Sequence, residues 1–342
     1  MRVSLLPLTL LVAFGAPPPE ACLAVPPTAV RPSTIGLKEA PIAALVQAAK
    51  EADTDGFAIL KDGKLIAAFG ERKPYLIYSV TKAVTGMAAG RLFTDGKWTN
   101  LDAPLGELLP QFAGDPKGAT TMRQLMSHTS GIRDARDANG RVLSEWNGAP
   151  DWVAAALRQP MESAPGSVYR YNNLGPTLIA AAVERASGER LDRYLRRTVF
   201  DPICLQGKTS WITDAAGHAA GYTGLSISAF DLAKLGQLIL NRGRWHSSQI
   251  LSEDWVKQSA LASSQAVNPR VGLLWFLTWN DKFPLPLVVS HSGDGGQNLM
   301  IFPNHGIVVA RLRRSGIAKG KEGMDDLADL VINALVNQQA QP

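Results

Sequence analysis

The chain has 342 residues, of which 46% are hydrophobic and 19% charged, and its formal net charge is +5. This length suits one large domain with an insertion or two modest domains, and the composition excludes a disordered chain. The basic residues are spread along the sequence without a dense block, so we expect no nucleic-acid binding.

The N-terminus has the pattern of a secretory signal peptide. Arg2 precedes an apolar run over residues 3–14, which is too short to span a membrane. Cys22 and Ala24 are small residues ahead of a candidate cleavage site. We therefore predict a signal peptide over residues 1–24 and export to the periplasm or the medium, without a stable membrane span.

The chain has two cysteines, Cys22 and Cys204. A lipid anchor on Cys22 is the second alternative for the N-terminus, but Pro19 and Glu20 stand where a lipoprotein signal carries aliphatic and small residues. Cleavage after Ala24 would remove Cys22 and with it any disulfide. We therefore expect Cys204 to be a small core residue.

The first part of the mature chain combines a leader, a helix and a hairpin. Residues 25–36 are rich in Pro, Thr and Ser and predict a flexible leader, which leaves residues 37–342 for one folded domain. Helical apolar spacing runs over residues 41–52. Two short β-type runs then flank Asp62 and Gly63, a pair typical of a tight hairpin turn.

The rest of the chain is helical at first and then returns to strands. A helix is predicted to open at Ser79, and about 91–200 is rich in helices and loops, which indicates an all-helical insertion subdomain. An amphipathic helix ends the chain. Before it come the β-type runs "VGLLWFLTWN", "LVVSHSG", "NLMIFP" and "GIVVARLRR". We predict an α+β fold in which terminal helices flank an antiparallel sheet.

Ser79 and Lys82 form the first pair of residues with catalytic potential. On a helix that opens at Ser79 they lie one turn apart on the same face, so the amine is near the hydroxyl. A serine needs a base, and a lysine can serve when burial and nearby positive charge favour its neutral form. Because S-x-x-K also arises by chance, the alternative is that Ser79 caps the helix and Lys82 is solvated.

Tyr171 and Asn173 lie in "SVYRYNNLGPTL", at the loop before a long predicted helix. A phenol near a serine–lysine pair can relay a proton to the leaving group, and an asparagine can hold both the lysine and a substrate carbonyl. The alternative is an aromatic wedge followed by an Asn helix cap.

A third element is the apolar strand that ends in His291, Ser292 and Gly293, with Asp294 next. Gly293 would let a substrate approach the strand closely, and a backbone N–H just after it could donate to an oxyanion. The alternative is an ordinary glycine-rich hairpin turn.

In this order, Ser-x-x-Lys, Tyr-x-Asn and His-Ser-Gly resemble the motifs of the serine β-lactamase and penicillin-binding-protein superfamily. The resemblance is closest to its class C-like branch of esterases, peptidases and 6-aminohexanoate-dimer hydrolases. Stretches such as "ATTMRQLMSHTSGI" and "GGQNLMIFPNHGIVVARL" extend it over about residues 40–335. It implies a β-lactamase/transpeptidase-like fold with the site in the groove between the sheet and the helical subdomain.

The resemblance also implies catalytic roles. Ser79 would be the acylated nucleophile and Lys82 the base that deprotonates it. Tyr171 would share proton transfer with the lysine, and Asn173 would orient Lys82 and the scissile bond. The implied activity is hydrolysis of an ester or amide through an acyl-enzyme, and we expect no cofactor.

On the binding side, the backbone N–H groups of Ser79 and Asp294 would form the oxyanion hole beside Ser292 and Gly293. His291 departs from the β-lactamase and peptidase pattern, which has Lys-Thr-Gly or Lys-Ser-Gly with a lysine that binds a carboxylate. An imidazole offers less charge. The substrate is therefore expected to be a small ester, amide or peptide. A D,D-peptidase or β-lactamase and a non-catalytic binding relative remain the alternatives.

Other kinds of site are not indicated. The five histidines show no metal-ligand spacing and no G-x-S-x-G occurs, so we expect neither a metal site nor an α/β-hydrolase. His128 is expected to order a loop beside the site. Trp146, Trp152, Trp211 and Trp275 either line an apolar cleft or pack in the core. The sequence does not indicate the oligomeric state.

Overall fold

The computed structural model describes residues 28–134, 148–205, 207–314 and 325–336. The predicted signal peptide lies outside these ranges, so export stays a prediction. Of the predicted leader, residues 28–36 include a 3₁₀ helix over Pro32–Ile35. In the described part of the chain, we find no helix with the length and apolarity that a membrane crossing requires.

The strands form one large sheet and two small ones. In chain order they are β1 (Gly56–Lys61), β2 (Lys64–Phe69), β3 (Pro74–Leu76), β4 (Ser210–Trp211), β5 (Leu225–Ser228), β6 (Arg244–Trp245), β7 (Ser248–Gln249), β8 (Phe276–Thr278), β9 (Val288–Gly293), β10 (Gln297–Phe302) and β11 (Ile307–Leu312). The large sheet has six strands in the order β2-β1-β11-β10-β9-β8, and its strand pairs are antiparallel. The small sheets are β3-β5-β4 and β6-β7.

Helices occupy both ends of the domain and most of its middle. They are α1 (Glu39–Glu51), α2 (Thr81–Thr94), α3 (Leu105–Leu108), α4 (Met122–Met126), α5 (Trp152–Leu157), α6 (Leu174–Ser187), α7 (Leu191–Leu195), α8 (Ala229–Leu240), α9 (Glu253–Ala260) and α10 (Asp325–Val331). Short 3₁₀ helices span Tyr78–Val80, Pro110–Phe112 and Pro116–Ala119, and π-helical turns span Arg196–Phe200 and Ile332–Val336.

The large sheet joins the two ends of the chain. The first hairpin turns at Asp62 and Gly63, whose φ angles of 49° and 77° suit a tight left-handed turn, as predicted. Strand β11 pairs with β1, with Ala58 opposite Ala310, so the C-terminal meander continues the N-terminal hairpin. This sheet with its flanking terminal helices confirms the predicted α+β class.

The sheet is covered on both faces. On one face α1 and the C-terminal helix pack over a cluster that includes Leu45, Phe57, Val309 and Leu335. On the other face lies α8, which was not among the predicted elements. A Cβ at Gly236 of α8 would come within 2.6 Å of Val308, so glycine lets this helix lie close against the sheet.

The middle of the chain is helical. Described residues 91–134 and 148–200 contain helices and turns but no strand longer than an isolated bridge. Helix α2 packs against α6, and the turn before α2 contacts β9 and β10. The beginning of α2 therefore lies where the helical region meets the end of the sheet.

Cys204 differs from its predicted state. It is disulfide-bonded in the structure and has a left-handed φ of 58°. The expectation of a small core residue without a disulfide is therefore wrong: Cys204 is half-buried and its sulfur is held in a covalent bond. The other cysteine of the chain, Cys22, lies outside the described residues.

Candidate active site

Ser79 sits in a strained turn between β3 and α2. Tyr78, just before it, has a φ of 45°, a left-handed conformation that is costly for an aromatic residue and is often found at functional sites. Strand β5 holds both sides of the turn: the Ile77 N–H donates to the Leu225 carbonyl at 2.9 Å, and the Leu225 N–H donates to the Thr81 hydroxyl at 3.3 Å. The turn is thus fixed before any substrate binds.

The alternative in which Ser79 caps the helix does not hold. Neither the 3₁₀ turn nor α2 has a side-chain hydrogen bond at its N-cap position. Instead, Ser79 Oγ accepts a hydrogen bond from Lys82 Nζ at 2.9 Å. The serine hydroxyl is therefore paired with the lysine amine and not with the backbone of a helix.

Lys82 is fully buried, so the solvated alternative is also wrong. Its Nζ donates to the Tyr222 carbonyl at 3.0 Å as well as to Ser79. The rings of Tyr171 and Tyr222 lie 4.8 and 5.6 Å from Nζ. A lysine removed from water and hydrogen-bonded to a serine hydroxyl is the arrangement expected of a base.

Tyr171 and Asn173 lie at the start of α6, as predicted. The Tyr171 ring contacts His128 at 4.8 Å and stacks on Phe276 at 6.2 Å between ring centroids. Asn173 is buried, and the Asp134 carboxylate accepts from both its backbone N–H at 2.7 Å and its side-chain amide at 3.4 Å. The structure thus brings Tyr171 to Lys82 and gives Asn173 an acidic neighbour.

Asn173 occupies the N-cap position of α6, but the side chain that satisfies the first N–H groups of this helix belongs to Asn172, one residue earlier. Its Oδ1 accepts from the N–H groups of Leu174 and Gly175 at 2.7 and 3.0 Å, and its amide donates to the Ile132 carbonyl. Two successive asparagines just before a helical run are the signal that could have identified it. Because Asn172 caps the helix, the side chain of Asn173 is not needed for that purpose.

The end of β9 lies against the nucleophile turn. A Cβ at Gly293 would come within 2.3 Å of the Ile77 carbonyl, so only glycine allows this approach. His291 is buried, while Ser292 and Asp294 are exposed. Within the described residues, the N–H of Asp294 donates no hydrogen bond. Its N–H is therefore available to a substrate oxygen.

The comparison with protein families decides the classification. The β-lactamase family model matches residues 42–331. The chain belongs to the β-lactamase family. Together with its hydrolase-named relatives, this membership makes it a serine hydrolase of the β-lactamase and penicillin-binding-protein superfamily.

Individual relatives of this β-lactamase-family chain are distant. The 6-aminohexanoate-dimer hydrolase of Paenarthrobacter ureafaciens is 23% identical over 78% of this chain and 74% of the relative. A protein provisionally named D-alanyl-D-alanine carboxypeptidase, from Escherichia coli K12, is 25% identical over 73% of this chain and 76% of the relative. A solved structure from Bacillus anthracis, provisionally described as a 6-aminohexanoate-dimer hydrolase, has a TM-score of 0.74 at 19% identity and covers 87% of this chain and 83% of that one.

Two buried histidines flank Lys82 in this family member, and both are neutral. His128 Nδ1 accepts from the Asn172 N–H, so its proton is on Nε2. His291 Nδ1 donates to the Ser292 carbonyl, so its Nε2 carries a lone pair. Among the described residues, neither Nε2 has a hydrogen-bond partner. Burial, with the Lys82 charge second, lowers the pKa of His291 to about 3 and that of His128 well below its usual value.

The two histidines should make the protein sensitive to acid. Between about pH 3 and 6.5 the unfolded chain protonates position 291 and the folded chain does not, so stability is full above this window and falls as the pH drops through it. We expect His291→Gln to reduce the loss of unfolding free energy between about pH 7.5 and 5, measured by urea denaturation.

His218 provides the matched control. It pairs with Glu184 at 2.9 Å, and this hydrogen bond raises the pKa of His218. A raised pKa adds stability at low pH that is lost as the pH rises, so His218→Gln should increase the acid loss. An unchanged acid loss in His291→Gln would contradict the neutral assignment.

Of Trp146, Trp152, Trp211 and Trp275, the three among the described residues belong to the main core or pack against it. Trp275 is only 2% exposed and belongs to the core, whereas half-buried Trp152 contacts Tyr222 edge-on at 6.4 Å. Trp211 is half-buried against the main core, and Trp146 lies outside the described residues. In the described part of the chain, no cluster of His, Cys, Asp or Glu could hold a metal.

Proposed function

We propose that the chain hydrolyses a small ester or amide through an acyl-enzyme on Ser79. The observation that carries this proposal is the 2.9 Å hydrogen bond between the nucleophile and the fully buried amine of Lys82. A serine becomes a nucleophile when a neighbouring base takes its proton, and burial keeps solvent from competing for that base.

The first step is acylation. Lys82 in its neutral form takes the Ser79 proton as Oγ attacks the carbonyl, and the N–H groups of Ser79 and Asp294 stabilise the oxyanion. Tyr171 donates its proton to the leaving group and takes one back from Lys82, which becomes neutral again. Asn173 orients the scissile bond. In the second step Tyr171 and Lys82 accept a proton from the water molecule that attacks the acyl-enzyme. They return a proton to Ser79 Oγ as the acyl product leaves, which regenerates the serine.

The lining of the site supports an uncharged or weakly polar acyl group. His291 is neutral, so this position gives no fixed positive charge to a substrate carboxylate. The rings near Lys82 supply apolar surface: Tyr171 stacks on Phe276, and Tyr222, 5.6 Å from Lys82 Nζ, contacts Trp152 edge-on. The distant relationship to a 6-aminohexanoate-dimer hydrolase supports linear amides as candidates beside esters.

Covalent labelling followed by a substrate panel tests this function. We expect a fluorophosphonate probe to modify the peptide that contains Ser79, detected by mass spectrometry, and heat-denatured protein to stay unlabelled. The panel would contain short-chain chromogenic esters, linear amides, D-amino-acid amides and nitrocefin, with esters or linear amides turned over fastest.

Two other outcomes would support a different function. Stable penicillin labelling at Ser79 with nitrocefin turnover and no ester turnover would favour a D,D-peptidase or β-lactamase, in line with the carboxypeptidase-named relative. A folded sample that reacts with no probe and turns over no substrate would favour a non-catalytic binding protein.

A further inference from the structure

Arg311 and Arg313 are the two largest fully buried side chains in the described part of the protein, with 1% and 0% exposure. Arg311 lies near the C-terminal end of β11, and Arg313 directly follows that strand. A buried charge is costly unless hydrogen bonds or an opposite charge compensate it. The Asp53 carboxylate lies 3.8 Å from Arg313, and its side chain is 38% exposed. Because water screens a partly exposed carboxylate, the hydrogen bonds that the two guanidinium groups make to backbone also matter for their burial.

The guanidinium of Arg311 bridges two segments of backbone. Its Nη2 donates to the Ala52 carbonyl at 2.7 Å and its Nε to the Thr54 hydroxyl at 2.7 Å, just after α1. Its Nη1 reaches the Gly296 carbonyl at 3.4 Å. Burial lowers the pKa of Arg311 to about 10, so the side chain is still charged near neutral pH.

Arg313 makes a second bridge between the same two segments. Its Nε donates to the Asp53 carbonyl at 3.3 Å and its Nη1 to the Gly295 carbonyl at 3.1 Å. Its backbone N–H and carbonyl also bond to the buried side chain of Gln297, at 2.9 and 2.7 Å. Each turn carbonyl thus has its own arginine.

The segment that both arginines hold is the turn between β9 and β10. Gly295 and Gly296 have φ angles of 73° and 90°, and glycines left to themselves sample many backbone conformations. A Cβ at Gly296 would lie 3.0 Å from Arg311 Nη1, so the guanidinium packs directly against the backbone. Asp294, whose N–H is the proposed oxyanion donor, is the first residue of this turn.

We propose that Arg311 and Arg313 are positioning residues that hold the Gly295 and Gly296 carbonyls, and through them the N–H of Asp294, in the geometry that stabilises the oxyanion. This inference rests on the proposed function. Charge-assisted bonds to two successive carbonyls remove the rotational freedom of the glycine turn, and a preorganised donor needs no reorganisation during the reaction.

Arg311→Lys and Arg313→Lys test this role, because lysine keeps the charge but lacks the planar fork of donors. We expect kcat for the best ester or amide to fall about 10- to 100-fold in each variant with KM changed less than about threefold, since losing an oxyanion donor outright costs about 10²–10³ in kcat. The affinity of a boronic acid, which forms a tetrahedral adduct with the serine, should fall by the same factor as kcat/KM.

Val309→Ala is the matched control for lost stability. Val309 is fully buried on β11, two residues before Arg311, so its truncation should destabilise the sheet without touching the turn. Well below its melting temperature this control should keep wild-type kcat and boronate affinity. If the lysine variants do not fold, Thr54→Val, which removes only one acceptor of Arg311, should lower kcat about threefold or more.

Wild-type kcat and boronate affinity in a folded lysine variant, or in Thr54→Val when the lysine variants do not fold, would overturn this inference. The proposed function would still stand in that case if Ser79 reacts with the fluorophosphonate probe. Failure of Ser79 to react with the probe would contradict both the proposed function and the positioning role of the two arginines.

Discussion

Alanine in place of Ser79 is expected to lower kcat for a chromogenic short-chain ester by about four to six orders of magnitude, because the attacking oxygen is lost. Stability should change little. Ser79 caps no helix, and its side chain accepts a hydrogen bond from Lys82. We expect the free energy of unfolding to stay within about 1 kcal/mol of the wild type in urea denaturation.

Ser252→Ala is the matched control, because Ser252 does what the alternative interpretation assigned to Ser79. Its Oγ caps α9 by accepting from the Trp255 N–H at 3.2 Å. Removing a cap costs about 1 kcal/mol, so this variant should lose stability and keep kcat. Ester turnover at the wild-type rate in Ser79→Ala would show that another group is the nucleophile.

The features that the sequence predicted correctly depend on residues close together in the chain. The turn at Asp62 and Gly63 follows from two residues that tolerate positive φ, and the terminal helices follow from apolar spacing. The proximity of Ser79 and Lys82 follows from a separation of three residues on a helix. In each case local geometry alone sets the outcome.

The features that it missed depend on tertiary contacts. The Tyr222 carbonyl that accepts from Lys82 lies 140 positions further along, and Asp134 lies 39 positions before Asn173. No local pattern links such residues. Strand β8 is also shorter than its apolar run predicts, because Leu274 adopts a left-handed φ of 61° just before it. Apolarity alone could not show that break.

The burial of Arg311 and Arg313 is indicated by the sequence, although it was not predicted. They interrupt the apolar run "GIVVARLRR", and a charged residue at the inward position of a strand has to find a buried partner. The partners are backbone carbonyls of a glycine turn and of the segment after α1, and these are visible only once the sheet is assembled. The sequence can show that a charged residue in an apolar run needs a buried partner, but the identity of that partner depends on the tertiary fold.

Lys82→Met is expected to lower kcat about 10²–10⁴-fold at every pH, because methionine fills the same space but cannot accept the Ser79 proton. The unfolding free energy should stay the same or rise, since replacing a buried amine by an apolar chain of similar volume removes a desolvation penalty. One cost opposes this gain: the Tyr222 carbonyl loses its donor at 3.0 Å. Rate measurements at about pH 7 to 9 and urea denaturation would check both effects.

Lys234→Met is the matched control, a second buried lysine on a helix outside the site. Lys234 donates to the Cys204 carbonyl and lies 3.7 Å from the buried carboxylate of Asp231. Removing it takes a positive charge away from beside that buried carboxylate, so this variant should lose stability and keep kcat well below its melting temperature. The two variants are therefore expected to differ. Lys82→Met loses activity without losing stability, whereas Lys234→Met loses stability without losing activity. Retained activity in Lys82→Met would exclude Lys82 as the base, and equal losses of stability in both variants would show that the burial of Lys82 is structural.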